Sequence, residues 1–528
     1  MTAVAMPGPQ AAAVLPKAPT VLPELLSAPQ SAAPLMDAIV AYRGLETGAL
    51  HVPGHAGGGV VGPELRGLLG ANFLASDVWL TPAALAEARQ EAEALAAEAW
   101  GADTALFLLD GSSGGNRAVH LAQQHPDRPG GGQVVVARDS HTSTLAGLVL
   151  SGATPHWVTP RLDQAGFGIS LGIDPGALNR TLVDATARGH RASLVSLVSP
   201  GYAGACSDVR LLAAVAHRHG ALLHVDEAWG AHLPFHPDLP RHALSLDADI
   251  VVVSAHKMLP AASGAAIVFV GGGRADATRI GRAVRMAQST SPLLPVLASI
   301  DDARRTMVDR GRALLDRALQ LAADARRRLA AIPGVRVAYA SDLGVAPDRF
   351  DPLRLVVGVR GLGLTGLTLE KLLRAPGPGL GTGGLLHPAV AVEGADEGNL
   401  FVVITTGTRP EVIDALVTAL RTLSGGRRRG LRLGWDGQLV AALLAPRQQA
   451  CTPREAHFAA TEVVSLRRAV GRISAEPITP YPPGVPAVMP GERLDRDTVK
   501  TLTRAVASGM HIHGAADPTL TTVSVLRA

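Results

Sequence analysis

The sequence predicts an α/β protein: a large domain around a mostly parallel sheet covered on both faces, a smaller α/β domain, and a further C-terminal domain. Three observations predict it. Runs such as Val134-Val135-Val136 and Ile250-Val251-Val252-Val253 are apolar at every position, as strands buried on both faces must be. Helical stretches alternate with them, the pattern of parallel strands joined by crossover helices. Two strands end in a single ionisable residue, Leu222-Leu223-His224-Val225 in Asp226 and Ile250 to Val253 in the turn Ser254-Ala255-His256-Lys257. Ligands of such sheets bind beyond the carboxyl ends of the strands, so Asp226 and Lys257 mark the expected site.

Composition bounds the class. The chain has 528 residues, enough for several domains; 47% of them are hydrophobic but only 3% aromatic. A net charge of +4 without a long basic block argues against nucleic acid as a partner. The two cysteines, Cys206 and Cys451, stand far apart in no metal or disulfide pattern, as expected in a reducing compartment. The N-terminus lacks a charged leader region and is broken by Pro7, Pro9, Pro16, Pro19 and Pro23. The apolar stretch from Met258 to Gly273 contains a proline and several glycines and is too short for a bilayer. A cytoplasmic location without a membrane partner is therefore expected.

In chain order, residues 1–33 read as an Ala/Pro-rich arm. Leu35, Ile39 and Val40 set a first helix over 34–44, followed by the glycine-rich loop His51-Val52-Pro53-Gly54-His55-Ala56-Gly57-Gly58-Gly59. Pro82 to Trp100 is an Ala/Glu helix stopped by Gly101. Thr104 to Leu109 reads as a strand entering Asp110-Gly111-Ser112-Ser113-Gly114-Gly115-Asn116, with a helix expected from about Arg117. A small-residue turn before a helix N-terminus suits a phosphate, through its N–H groups and the helix dipole, and equally suits tight packing alone. Strands are expected at Val134–Val136, Trp157–Val158, Leu194–Val198 and Ala265–Val270, with Ser207 or Asp208 capping a helix over Val209–His219. The large domain spans 34–305. A long helix over 302–330 opens the small domain, 306–425, with strands at Leu355–Val357 and Phe401–Ile404. After a Gly/Arg linker, Gly425 to Arg429, residues 430–528 form the C-terminal domain.

Two chemistries fit the glycine turn. Gly111-Ser112-Ser113-Gly114-Gly115 matches the nucleophile elbow of serine hydrolases, with Ser113 as nucleophile, His55 to Gly59 as an oxyanion loop, and Asp226 and His232 following in hydrolase order. That reading leaves Lys257 and His141 without a task. A pyridoxal phosphate site uses them all. A cofactor aldehyde needs a lysine amine to form a Schiff base, which Lys257 supplies, and a carboxylate to keep the ring nitrogen protonated, which Asp226 supplies. Ser112, Ser113 and Gly114 offer hydroxyls and amides to the phosphate, and the His141 imidazole offers a face to the ring. Each residue alone has an ordinary structural explanation; the ordered set is what is specific.

These residues resemble the bacterial ornithine/lysine/arginine decarboxylases, pyridoxal-phosphate enzymes of the aspartate-aminotransferase fold (fold type I). The resemblance covers roughly residues 35–495. It rests on His51 to His55, Gly111 to Asn116, Ser140-His141 with Gly152, Tyr202 to Asp208 and Val225-Asp226-Glu227-Ala228-Trp229-Gly230-Ala231-His232. It continues in Ser254 to Lys257, Ser289-Thr290-Ser291-Pro292, and Tyr481 to Pro486 with Pro490-Gly491-Glu492. The resemblance implies Lys257 as the Schiff-base lysine, Asp226 at the ring nitrogen, His141 stacked on the ring, and Ser112, Ser113, Gly114, Ser254 and His256 around the phosphate. It implies a homodimer or higher homo-oligomer with sites at the subunit interface, where Ser289 and Thr290 reach a neighbour's phosphate.

The implied reaction removes the α-carboxylate of arginine, lysine or ornithine as carbon dioxide and leaves a polyamine-type amine, Lys257 or His256 returning a proton to Cα. Another enzyme of the same fold, an aminotransferase or lyase, and a non-catalytic relative are the alternatives within the resemblance. The chain departs from the family at Ala56, where lysine is usual, and at Ala262-Ser263-Gly264, where Leu-Thr-Gln is frequent. His511-Ile512-His513 and Arg427 to Arg429 read as solvated surface, and no metal site is expected.

Overall fold

The computed structural model describes residues 29–44, 52–55, 61–78, 80–123, 132–163, 165–374, 378–379, 382–385, 389–424, 437–481 and 485–527. Of the segments singled out above, arm residues 1–28, His51, Ala56 to Gly59, the linker Gly425 to Arg429 and Pro482 to Gly484 lie outside the described residues.

The central sheet contains β1 (Thr104–Leu108), β2 (Gln133–Ala137), β3 (Thr154–Val158), β4 (Ala192–Val198), β5 (Leu222–Asp226), β6 (Ile250–Val253) and β7 (Ala266–Val270). Their order is β1-β7-β6-β5-β4-β2-β3. β6 and β7 are buried at every position, which is why their sequences are continuous apolar runs. The strands from β3 across to β6 run parallel, whereas β7 is antiparallel to both β6 and β1. Only a four-residue helix, Ala255–Met258, interrupts the segment between β6 and β7, so the chain doubles back beside the strand it has just left. β5 and β6 are parallel neighbours with Asp226 opposite Val252, which brings Asp226 and the turn after Val253 to one edge of the sheet.

The helix expected from about Arg117 begins at Gly111 and runs to Ala122, so Gly-Ser-Ser-Gly-Gly is its first turn and not a loop before it. The glycines explain the shift. A Cβ on Gly114 would stand 1.9 Å from Asp110 Oδ1, and one on Gly115 would stand 2.7 Å from the Val252 side chain. The first glycine lets Asp110 fold over the helix start, and the second lets the helix settle onto the sheet.

The long helix runs from Leu294 to Ala330, 37 residues, with a proline in its first turn. It starts upstream of the expected 302, and position 305 lies inside it. In the first helix, Pro34–Gly44, Leu35 and Ile39 are buried, but Val40 is 59% exposed and takes no part in the core. Asp208, and not Ser207, caps the helix Val209–Arg218 by accepting from Leu211 N at 3.2 Å. Such a cap is worth about 1 kcal/mol.

Beyond the long helix, β8 (Arg336–Val337), β9 (Arg354–Gly358), the hairpin β10 (Pro378–Gly379) with β11 (Thr382–Leu385), β12 (Gly394–Ala395) and β13 (Asn399–Val403) follow. β12-β13-β9-β8 form an antiparallel sheet. The C-terminal part pairs β14 (Thr461–Ser465) with β17 (Thr522–Leu526), and β15 (Thr479–Tyr481) with β16 (His511–His513). The helix Arg496–Ala507 packs on them, around Leu466, Ile478, Leu502 and Val525. Among the described residues no helix is long and apolar enough to cross a membrane. Cys206 and Cys451 are both free.

Candidate active site

Lys257 lies on the Ala255–Met258 turn that follows β6, with Ser254 at its N-cap. Its Nζ stands 4.2 Å from the ring centroid of Trp229, which comes three residues after Asp226 on the neighbouring strand's exit. The Arg354 guanidinium, from β9, lies 3.8 Å from the same ring. Both basic groups therefore lie over one indole, and the Arg354 charge beside Lys257 disfavours the protonated amine. Burial lowers the Lys257 pKa from its ordinary value; Asp226 opposes that shift, Arg354 adds to it, and Glu393 opposes it. The net result is an amine that gives up its proton more readily, as a nucleophilic lysine must.

Asp226 is buried and doubly anchored. Its Oδ2 accepts from Asn116 Nδ2 at 2.7 Å and its Oδ1 from Ala228 N at 3.1 Å. Asn116, on the helix Gly111–Ala122, also donates to Ser143 Oγ at 2.9 Å. His141 is the N-cap of the helix Thr142–Ser151, accepting at Nδ1 from Ser143 N at 3.2 Å. That bond leaves Nε2 as the protonated nitrogen of the neutral ring. The ring opens onto a cleft, yet the walls around it remove enough water to lower its pKa; Asp226 opposes the shift and Lys257 adds to it. His141 is thus a neutral, flat face at pH 7.

The far end of the cavity offers serine hydroxyls and a helix start, groups that could hold an anion. Ser254 Oγ donates to Ser112 Oγ at 2.8 Å, both side chains buried beside the first turn of the helix Gly111–Ala122. Gly264, in the segment that departs from the family pattern, accepts from Gly111 N at 2.8 Å and has φ +90. A Cβ there would stand 2.8 Å from Leu109 O, so the departure carries its own fit. The Asp110 carboxylate, which would oppose an anion, is paired with Arg117 at 2.6 Å; burial raises its pKa and Arg117 works against that rise. His256 Nδ1 donates to Ala265 O at 2.9 Å.

Ser112, Ser113, His141, Asp226, Ser254, His256 and Lys257 all line one cavity of about 370 Å³. Two larger cavities, about 760 and 600 Å³, meet it at Trp229 and Lys257. The larger is walled by acidic side chains, Asp139, Glu370, Glu393 and Asp396, and by His511 and His513. His511 and His513 are exposed, as expected, but they belong to a strand at the cleft and not to loose surface. His511 pairs opposite Tyr481 and His513 opposite Thr479, while Ile512 is buried in the C-terminal core. The two-residue period of a strand turns both histidines onto the cleft.

Gly114 lies in the first turn of the helix behind the cavity wall. Ser289 and Thr290 are exposed after the helix Ala277–Ala287 and line none of these cavities. The hydrolase arrangement does not form among the described residues. His232 is fully buried and sits 3.3 Å from the buried Asp351, away from the cavity of Ser113, and His55 pairs with Asp77 at 3.2 Å.

Comparison with known proteins gives the family. Residues 33–344 match the family described as Orn/Lys/Arg decarboxylase, major domain, and residues 438–511 match the Orn/Lys/Arg decarboxylase C-terminal domain. The chain belongs to the Orn/Lys/Arg decarboxylase family. It is 31% identical over 508 residues to an arginine decarboxylase of Halalkalibacterium halodurans, covering 94% of this chain and 98% of that one. It is 31% identical over 505 residues to an arginine decarboxylase of Bacillus subtilis, covering 94% and 98%. Among solved structures, lysine decarboxylase A from Pseudomonas aeruginosa shares the fold with a TM-score of 0.79 at 23% identity, over 94% of this chain and 81% of that one.

This Orn/Lys/Arg decarboxylase is accordingly a fold type I carboxy-lyase whose cofactor is pyridoxal 5′-phosphate. Its site fits the group: an amine of lowered pKa, a fixed carboxylate, a neutral imidazole face and a hydroxyl-lined helix start surround one cavity. Sequence reasoning missed Asn116, Trp229, Arg354 and Glu393. Asn116 and Trp229 lay inside segments already singled out, four residues after Ser112 and three after Asp226. Arg354 and Glu393 come from the small domain, and nothing local marks them.

Proposed function

We propose that this decarboxylase acts on arginine, with Lys257 and Asp226 as its central residues. The observation that carries the reading is their convergence, from adjacent strand ends, on one cavity of about 370 Å³. The arginine decarboxylases at 31% identity over 94% of the chain support arginine over lysine or ornithine. A cleft wall with Glu370, Glu393 and Asp139 suits a cationic side chain, a feature arginine shares with lysine and ornithine.

Pyridoxal 5′-phosphate, when bound, supplies an aldehyde for the substrate amine and a sink for the electron pair released as the α-carboxylate leaves as carbon dioxide. In this reading Lys257 is the residue whose Nζ would hold the cofactor. Asp226, fixed by Asn116 and Ala228 N, keeps a proton on the ring nitrogen. His141, which lines the same cavity, would offer its imidazole face to the ring. Ser112, Ser113, Gly114, Ser254 and His256 hold the phosphate, with Ser289 and Thr290 reaching the phosphate of a second copy. His256 Nδ1–H is committed to Ala265 O, and the ring lines the cavity beside Ser254 and Lys257. Lys257 Nζ, whose pKa burial lowers, is the donor we assign to the proton that returns to Cα.

A homodimer fits the helix Pro63–Leu69, which buries none of its side chains and leaves Leu68 83% exposed. Carbon dioxide release from arginine, lysine and ornithine by cofactor-loaded protein tests the substrate. Arginine should give the highest kcat/KM; a preference for lysine or ornithine overturns it, and keto-acid formation without carbon dioxide overturns decarboxylation itself.

A further inference from the structure

Arg138 stands three residues before His141, directly after β2, and its N–H donates to Val158 O of β3 at 2.8 Å. Its side chain leaves the large domain altogether. Nη1 donates to Glu492 Oε1 at 2.7 Å, and Nη2 donates to Glu492 Oε2 at 2.8 Å and to Ala487 O at 2.8 Å. Both side chains are 0% exposed. Glu492 is held in turn by Met489 N at 2.9 Å.

A buried ion pair is a poor way to fasten two domains, since well-packed apolar residues of the same volume do so at least as well. What a bidentate guanidinium–carboxylate fork adds is direction. A second grip lies beyond His141. Arg454 Nη1 donates to Val149 O and Leu150 O, both at 3.0 Å, in the last turn of Thr142–Ser151. The segment from Arg138 to Ser151, which carries His141, is thus contacted by the C-terminal domain on both sides of that residue.

We propose that Glu492, acting through Arg138, is a positioning residue for His141, which makes the C-terminal domain part of the cofactor site. The proposal rests on the reading of His141 as the residue against the ring. Nothing else about Glu492 points to the reaction, since it lies in a different domain and lines none of the cavities.

The test is a double-mutant cycle in full-length, cofactor-loaded protein: His141→Ala, Glu492→Gln, and both together. The readouts are kcat/KM for carbon dioxide release and the visible circular dichroism of the bound cofactor, which reports how the ring is held. Glu492→Gln should lower kcat/KM by about 10- to 100-fold and change the dichroic band. In the His141→Ala background it should cost less than about threefold more. The same loss in both backgrounds overturns the proposal, and so does an unchanged band. Full activity and an unaltered band in His141→Ala overturn the reading of His141, and the proposal with it. If Glu492→Gln does not fold, Arg138→Met/Glu492→Leu removes both charges together and should fold. It should nevertheless show the changed band; a wild-type band and wild-type kcat/KM there overturn the proposal.

Discussion

The cofactor cavity and the outer cleft touch at Lys257 and Trp229 but are built in opposite ways. In the cavity, Ser112, Asp226, Ser254 and Lys257 each sit at a strand end or helix start of one sheet; hydrogen bonds fix Ser112, Asp226 and Ser254, and Lys257 lies over the Trp229 ring. In the cleft, Asp139, Glu370, Glu393, His511 and His513 come from three separate parts of the chain, several on exposed edges. On the proposed reading, secondary structure anchors the reacting centre, while edges and loops supply the wall that would meet the rest of the substrate. A scaffold of this kind can keep its chemistry while its selectivity drifts.

The largest expected effect breaks the inner region outright: Lys257→Ala should abolish both the visible cofactor band and carbon dioxide release. Asp226→Asn should keep the fold but lower kcat on the order of 100- to 1000-fold, because a neutral amide cannot hold the proton on the ring nitrogen. Steady-state kinetics at saturating cofactor checks it.

Beneath Asp226 the inner region also carries a pH signature. His224, two residues before Asp226, faces His120 with ring centroids 6.0 Å apart. Burial lowers the His120 pKa to about 4, and it holds His224 well below the ordinary value. The unfolded chain takes up these protons from about pH 6.5 downward while the folded chain refuses them. Stability is therefore full above pH 6.5 and lost as pH falls toward 4. For His120 alone the loss approaches about 3 kcal/mol. Denaturant melts at pH 7, 6 and 5 should show the decline, and His120→Leu should flatten it. A flat profile in the unmutated protein contradicts the buried neutral pair.

The smaller effects sharpen the contrast. Asn116→Ala, which frees one oxygen of Asp226, should cost about tenfold in kcat/KM and weaken cofactor binding. Glu393→Gln and Glu370→Gln should raise KM about three- to tenfold, leaving kcat and cofactor affinity nearly unchanged. Cofactor loss in the cleft variants would erase the distinction between the two regions.

The same contrast explains what could be read from the sequence. Asp226 and Lys257 were legible because a buried strand announces itself as an apolar run, and the residue that ends it is exposed by position alone. The start of the Gly111–Ala122 helix was misplaced because glycine has low helix propensity, while packing against Val252 and folding over by Asp110 require glycine there. The exposure of His511 and His513 is legible locally, but their place on the cleft is not, because pairing with Thr479–Tyr481, some thirty residues upstream, is a long-range fact. Arg354 and Glu393 carry no local mark at all; only the folding of the small domain over Trp229 gives them a place.

The most direct measurement follows from a scarcity in the sequence, which has four lysines: Lys17, Lys257, Lys371 and Lys500. Cofactor-loaded protein reduced with borohydride and mapped by peptide mass spectrometry should carry the pyridoxyl phosphate group on the Lys257 peptide. The group on Lys17, Lys371 or Lys500, or on none of the four, would contradict the placement of the active site at the end of β6.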